Sequence, residues 1–155
     1  MYATTLPVTL VLAGALALLN VWIAFRVGQV RRAHKVSIGD GGVEAVARRM
    51  RAHANFVENA PFVLVLVGAI ELAAGTNAWL WAIAGLFVAA RLLHPFGMDG
   101  WTPGRMIGTA LTMLVQIFLA VWAIGVAASG GAYSPAVKQI DTPRERQLES
   151  GVLRG

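Results

Sequence analysis

The sequence predicts an all-α integral membrane protein, a four-helix bundle, and three observations predict it. Of its 155 residues 57% are hydrophobic and only 14% charged, whereas a water-soluble domain carries about 25% charged residues. The mean hydropathy of +0.63 points the same way. The apolar residues also fall into long runs, and a helix needs about 20 of them to cross a bilayer core. Lipid offers backbone N–H and C=O groups no partner, so each crossing segment must satisfy its own, as a helix does. The length suits a single domain. A balance of 13 Lys/Arg against 8 Asp/Glu gives a charge of +5, which in a soluble chain would suggest nucleic acid; with this hydropathy no nucleic-acid partner is expected. The lack of cysteine excludes disulfides, cysteine metal sites and a cysteine nucleophile.

The first span, residues 6–25, carries no charge. It differs from a secretory signal because residues 1–5 hold no Lys or Arg and the apolar run outlasts a signal core. The second apolar run, residues 60–74, is too short to cross alone. The stretch before it, from Val43, lacks Pro and Gly and is rich in helix formers, so one helix over 43–74 stands partly out of the membrane on a basic foot. Pro61 removes a backbone donor inside that helix and is expected to bend it. The turn Gly75-Thr76-Asn77 leads to a third span over 77–93, and a fourth covers about 105–128, stopped by Gly130-Gly131. Residues 1–128 thus make one membrane domain, and 129–155, polar and holding two prolines, read as a flexible tail. Its end, residues 150–155, reads as an appended remnant without functional weight.

Loop charges set the orientation. Arg26, Arg31, Arg32, Lys35, Arg48, Arg49 and Arg51 crowd the first connection, and Arg91 and Arg105 flank the third on the same side. The opposite side has basic residues only in the tail. Both termini are therefore expected on the non-cytoplasmic side. Trp79 and Trp81 beside a short turn read as interfacial anchors.

Charged residues within the spans carry the functional information, because each costs about 2.5–3.5 kcal/mol at mid-membrane and needs a partner or a watery cavity. Arg51, Asn55 and Glu58 are spaced i, i+4, i+7 and stack on one helical face, with Arg48 one turn before them. Such a ladder is either an internal ion pair or a cradle for a zwitterionic ligand. Arg91 and His94, at i and i+3, end the third span on one face, and Arg105 opens the fourth. With neighbouring helices running in opposite directions, these groups converge at the cytoplasmic membrane level. Taken singly, Arg105 could instead snorkel to lipid phosphates, and His94 could be a hydrogen-bonded structural histidine. His53 lies on the far side of its helix from Arg51 and is expected to face a loop or another subunit. Glu71 stands about 30 Å beyond Arg51 along the helix, at the other surface, where solvation or Asn77 is its expected partner. No His-Glu-x-x-His, phosphate loop or Gly-x-Ser-x-Gly occurs. Gly39-Asp40-Gly41-Gly42 reads as a turn, and His34, His53 and His94 lack metal-ligand spacing.

The run from Arg51 through Asn55 and Glu58 to Pro61 resembles the signature of the MAPEG family, the membrane-associated proteins in eicosanoid and glutathione metabolism. Ala90-Arg91-Leu92-Leu93-His94 resembles the end of that family's third helix, and Arg105 falls where its fourth begins. The likeness spans roughly residues 5–128, and the Gly39–Gly42 turn resembles a bacterial branch. The resemblance implies a homotrimer in a bacterial inner membrane, with glutathione as co-substrate held between subunits near the cytoplasmic face. It implies that Arg51, Asn55 and Glu58 hold the tripeptide's charged ends, Glu58 accepting from the α-ammonium. It makes Arg91 and His94 further binding positions and Arg105 the catalytic arginine that stabilises the thiolate. A guanidinium suits that task because it stays charged while lowering a neighbouring thiol's pKa.

Departures narrow the expected chemistry. Synthases of the family carry tyrosine where Met98 stands, and several carry another where Asn59 stands; Ala54 replaces an arginine of prostaglandin synthase. Pro95 and Gly97 are expected to end the third helix differently. The expected activity is a transferase or peroxidase acting on lipophilic electrophiles that enter from the lipid, rather than an eicosanoid synthase. The alternatives are a non-catalytic glutathione-binding or structural protein of the same fold and, more weakly, a small transporter.

Overall fold

The computed structural model describes residues 5–130; the expected tail from residue 131 onward lies outside them. Four helices follow in order, α1 (Pro7–Ala33), α2 (Glu44–Ala74), α3 (Ala78–Met98) and α4 (Thr102–Ala128). There is no strand among the described residues, and all four helices are long and apolar enough to cross a membrane.

Each boundary has a local cause. Pro7 opens α1 at a position where its missing donor costs nothing. The helix continues beyond the expected Phe25 to Ala33, because Arg, Gln and Val leave the apolar zone without breaking a helix. Arg31 and Arg32 in its last turn complement the helix dipole. The connection turns on Gly39, Gly41 and Gly42, with φ of 67°, 60° and 71°, values that favour glycine. There Asp40 Oδ1 accepts from the Gly42 amide at 2.9 Å. Helix α2 runs unbroken through Pro61. Asn77 caps α3, its Oδ1 accepting from the Leu80 amide at 3.0 Å. Helix α3 passes the expected end at Leu93 and continues through Pro95 to Met98, so Pro95 removes one bond without ending the helix. Thr102 and Pro103 start α4 earlier than expected and leave Arg105 in its first turn.

Helices α2 and α3 form the middle of the bundle and pack on each other and on both outer helices, while α1 and α4 do not meet. Leu12, Ile23, Phe56, Val63, Phe87 and Leu119 fill the core between them. The outer helices keep broad apolar faces, with Leu18 75% and Ile124 69% exposed. Helices α3 and α4 approach most closely through glycine. A Cβ on Gly108 would stand 2.9 Å from the Ala90 carbonyl oxygen, and one on Gly97 would overlap the Arg105 backbone. Small residues permit such approach where lipid supplies no hydrophobic drive between helices. Here they bring Arg105 against the end of α3.

Two polar residues take partners other than those expected. Glu71 is 2% exposed, and its carboxylate accepts from the amides of Val8 and Thr9 at 3.0 and 2.8 Å. It also accepts from the hydroxyls of Thr9 and Thr76 at 2.6 and 2.7 Å. It therefore caps the start of α1 from the end of α2, while Asn77 serves α3. His53 Nε2 is hydrogen-bonded to Asn20 Oδ1 of α1 at 2.9 Å, so this histidine joins two helices of one subunit instead of facing a loop or a neighbour.

Candidate functional site

A cleft of about 510 Å³ opens between α2, α3 and α4, near the last turn of α3 and the first turns of α4. Helix α2 contributes Arg51 and Asn55, and α3 contributes His94 and Met98. Helix α4 contributes Arg105, Met106, Thr109 and Ala110. His94 and Met98 share a face because α3 stays helical through Pro95, keeping them one turn apart. A smaller hollow of about 230 Å³ shares Met98 and Arg105 with the cleft and carries Glu44 and Arg48 at its rim.

The expected site residues occupy different depths. Arg51, Asn55, His94 and Arg105 line the cleft. Glu58 lies beside it, where its Oε1 accepts from Arg51 Nη1 at 3.3 Å, the two side chains 51% and 64% exposed. Arg91 does not line the cleft. It is 1% exposed and donates through Nη1 to Asn55 Oδ1 at 2.8 Å and through Nη2 to the Gly108 carbonyl at 3.2 Å. Its Nε has no partner among the described residues. Because Arg91 claims the Asn55 oxygen, the amide's NH2 is the group left for the cleft. Arg91 thus fixes Asn55 from behind. Arg48 turns away from the ladder to Glu44, at 2.6 Å on the exposed surface.

The polar chain runs further than the sequence suggests. Asn59 Nδ2 donates to the Asn55 carbonyl and Asn59 Oδ1 accepts from Gln116 Nε2, both at 2.6 Å. Gln116, a lone amide in an apolar helix, was the available signal for it. At the cytoplasmic end expected from loop charge, Asp99 pairs with Arg26 and, at 3.2 Å, with Arg49. The Arg26 guanidinium also lies 4.8 Å from the Trp22 ring centroid. This cluster ties α1 and α2 to the end of α3. Among the described residues no group of His, Asp or Glu could hold a metal ion.

The cleft can bind an ionised molecule. Two guanidiniums face it, a carboxylate flanks it, and Met106 and Ala110 extend it along α4, where Met106 is 64% exposed. A molecule with an anionic end and a reactive centre near Arg105 would meet an apolar partner from that side.

The family model described as MAPEG family matches residues 9–125. The inner membrane protein YecN of Escherichia coli strain K12 is 31% identical over 111 residues, a match covering 68% of this chain and 84% of that protein. YecN of Escherichia coli O6:H1 matches to the same extent.

Proposed function

This chain belongs to the MAPEG family, and from that premise we propose a glutathione-dependent membrane transferase or peroxidase acting on lipophilic electrophiles. The single observation carrying the reading is the convergence of Arg51, Asn55, His94 and Arg105 from three helices on one cleft. Glutathione offers two carboxylates, an ammonium and a thiol. Arg51 and the Asn55 amide suit a carboxylate and a backbone carbonyl, and Glu58 suits the ammonium. Arg105, which makes no side-chain hydrogen bond or ion pair among the described residues, is free to face the thiolate. The cleft volume of about 510 Å³ falls within the roughly 300–1,000 Å³ usual for small-molecule sites.

The chemistry follows from charge. A free thiol has a pKa of about 8.5 and attacks only as thiolate. A fixed guanidinium stabilises that anion without giving up its own proton. Electrophiles dissolved in lipid reach the sulfur past Met106 and Ala110, while glutathione arrives from the aqueous end beside Glu44 and Arg48.

Assembly follows the same logic. Arg51 and Glu58 lie half-exposed on a face of α2 that also shows Phe62 and Val65. Charges turned toward lipid are costly, so a further copy of the chain covers this face, as a homotrimer would. The protein then sits in a bacterial inner membrane with both termini on the non-cytoplasmic side, as the clustering of Arg and Lys around the first and third connections supports.

Adding glutathione to the purified protein should produce the ultraviolet absorbance of a thiolate, and Arg105→Ala should remove it. Loss of this one stabilising charge should lower turnover about 10²–10³-fold with the oligomer intact. No thiolate and no turnover across a broad electrophile panel would overturn the proposal. Met98, which lines the cleft where synthases carry tyrosine and cannot donate a hydrogen bond, favours a second reading: a protein that binds glutathione without turning it over. Glutathione affinity without conjugation would support that reading, and measurable conjugation would remove it.

A further inference from the structure

We propose that a second glutathione binds in a charged hollow beside the cleft, so that the protein works as a peroxidase using two thiols per turnover. The inference rests on the glutathione reading above and chooses between its two chemistries. Conjugation consumes one thiol. Reducing a hydroperoxide to an alcohol takes two electrons, one from each of two thiols that end as a disulfide, and the second thiol needs a place to bind. The hollow measures about 420 Å³ and lies between the end of α1, the foot of α2 and the end of α3. That volume falls within the roughly 300–1,000 Å³ usual for small-molecule sites.

Its lining suits a zwitterion. Arg48 and Arg49 bring guanidiniums, and Glu44 and Asp99 bring carboxylates, the same combination that Arg51 and Glu58 present beside the cleft. Bonding capacity is left over. Glu44 Oε1 accepts both bonds from Arg48, so Glu44 Oε2 and Arg48 Nη1 have no partner among the described residues. That pair is i,i+4 with the Glu44 side chain 77% exposed, a weak class of ion pair that a ligand can open. Arg49 donates through Nε to Asp99 and through Nη1 to the Arg26 carbonyl, which leaves its Nη2. The hollow also leads to the reacting sulfur. The smaller hollow of about 230 Å³ shares Glu44 and Arg48 with it and Arg105 with the cleft, and Met98 borders all three. An unbranched thioether with three rotatable bonds makes a wall that can yield. Met106 and Ala110, on the lipid side of the cleft, do not border the charged hollow, which leaves it to a water-borne ligand.

The steps balance with an alkyl hydroperoxide as the oxidant. The first thiol loses its proton to water, and the thiolate facing Arg105 attacks the outer peroxide oxygen. The O–O bond breaks, its electron pair leaves on the inner oxygen, and that alkoxide takes a proton from water to become the alcohol. The first sulfur now carries a hydroxyl, as a sulfenic acid. The second glutathione, its tail held in the charged hollow, reaches its sulfur past Met98 and attacks the first sulfur. An S–S bond forms, the S–O bond breaks, and hydroxide leaves with the second thiol's proton as water. The sum is one hydroperoxide and two thiols giving one alcohol, one disulfide and one water; the peroxide is reduced and the two sulfurs are oxidised.

The test fills the hollow and compares the two chemistries. Ala45 is exposed and lines this hollow but not the cleft, so Ala45→Trp should block the second molecule without touching the first. Calorimetric titration of the whole protein with glutathione should give two molecules per chain, and one in Ala45→Trp. With an alkyl hydroperoxide, Ala45→Trp should form glutathione disulfide about 100-fold more slowly, because the second thiol is no longer positioned. The thiolate absorbance and the conjugation of an activated aryl halide should stay as they were. Glu44→Gln should raise the glutathione concentration that half-saturates disulfide formation about 10- to 100-fold, the loss of one charge-assisted hydrogen bond. One molecule per chain in the unsubstituted protein, or unchanged disulfide formation in Ala45→Trp, would overturn the second site while leaving the glutathione reading intact. So would conjugation without hydroperoxide reduction in the unsubstituted protein, or a parallel loss of both activities in both variants. Absence of any thiolate in the unsubstituted protein would overturn both.

Discussion

Two glutamates of helix α2, Glu58 at its middle and Glu71 near its end, have opposite surroundings. Glu71 is sealed, its two oxygens saturated by two amides and two hydroxyls. Glu58, with its side chain 51% exposed, has one side-chain partner among the described residues, Arg51, at 3.3 Å. A buried carboxylate whose every lone pair is used has nothing left to offer a ligand and fixes structure. A half-exposed carboxylate in a loose pair, beside a cleft whose Arg105 has no side-chain partner among the described residues, keeps its bonding capacity for something else. The sealed glutamate ties α1 to α2, and the open one lies where chemistry is proposed.

That contrast sets the order of expected effects. Glu58→Gln removes the charge that meets the ligand's ammonium, and loss of one charge-assisted hydrogen bond is worth about 1.5–3 kcal/mol. Glutathione affinity measured by calorimetry should fall roughly 10- to 100-fold, with thermal stability nearly unchanged. Glu71→Gln should reverse the pattern. It keeps one acceptor oxygen and strands buried donors at the start of α1, so unfolding in detergent should cost about 1–3 kcal/mol less, while glutathione affinity of the folded protein holds. If Glu71→Gln impaired binding and left stability alone, the distinction between the two glutamates would fail. Arg48→Ala should do least. Its pair with Glu44 is exposed, i,i+4 and on the surface, and such pairs contribute about 0.3–0.5 kcal/mol, so melting should move by little more than its measurement error.

The same contrast marks what the sequence could tell. All four spans were legible, because long apolar runs report lipid contact directly. Their ends were less so, since hydropathy reports where the membrane stops and not where the helix stops. Helix α1 therefore outran Phe25 to reach Ala33, and α3 outran Leu93 to reach Met98. The i, i+4, i+7 spacing showed that Arg51, Asn55 and Glu58 share a face, and the chain's reversal at each turn showed that α3 and α4 bring His94 and Arg105 to that level. Spacing gives direction around a helix but not depth. It could not show that Arg91, one turn from His94, points inward to Asn55 while His94 lines the cleft. Nor could it find the partners of Glu71, because Val8 and Thr9 are more than sixty residues away in the chain and carry no motif. Thr109 and Met106 join the lining only through the close crossing that Gly97 and Gly108 allow.

A structure determined in detergent or nanodiscs with saturating glutathione tests the central claim most directly. The tripeptide should lie against Arg51 and Asn55, its ammonium at Glu58 and its sulfur between Arg105 and His94, with a second copy of the chain closing the α2 face. A well-ordered oligomer with nothing bound there, and Arg51 and Arg105 turned outward to the headgroups, would contradict it.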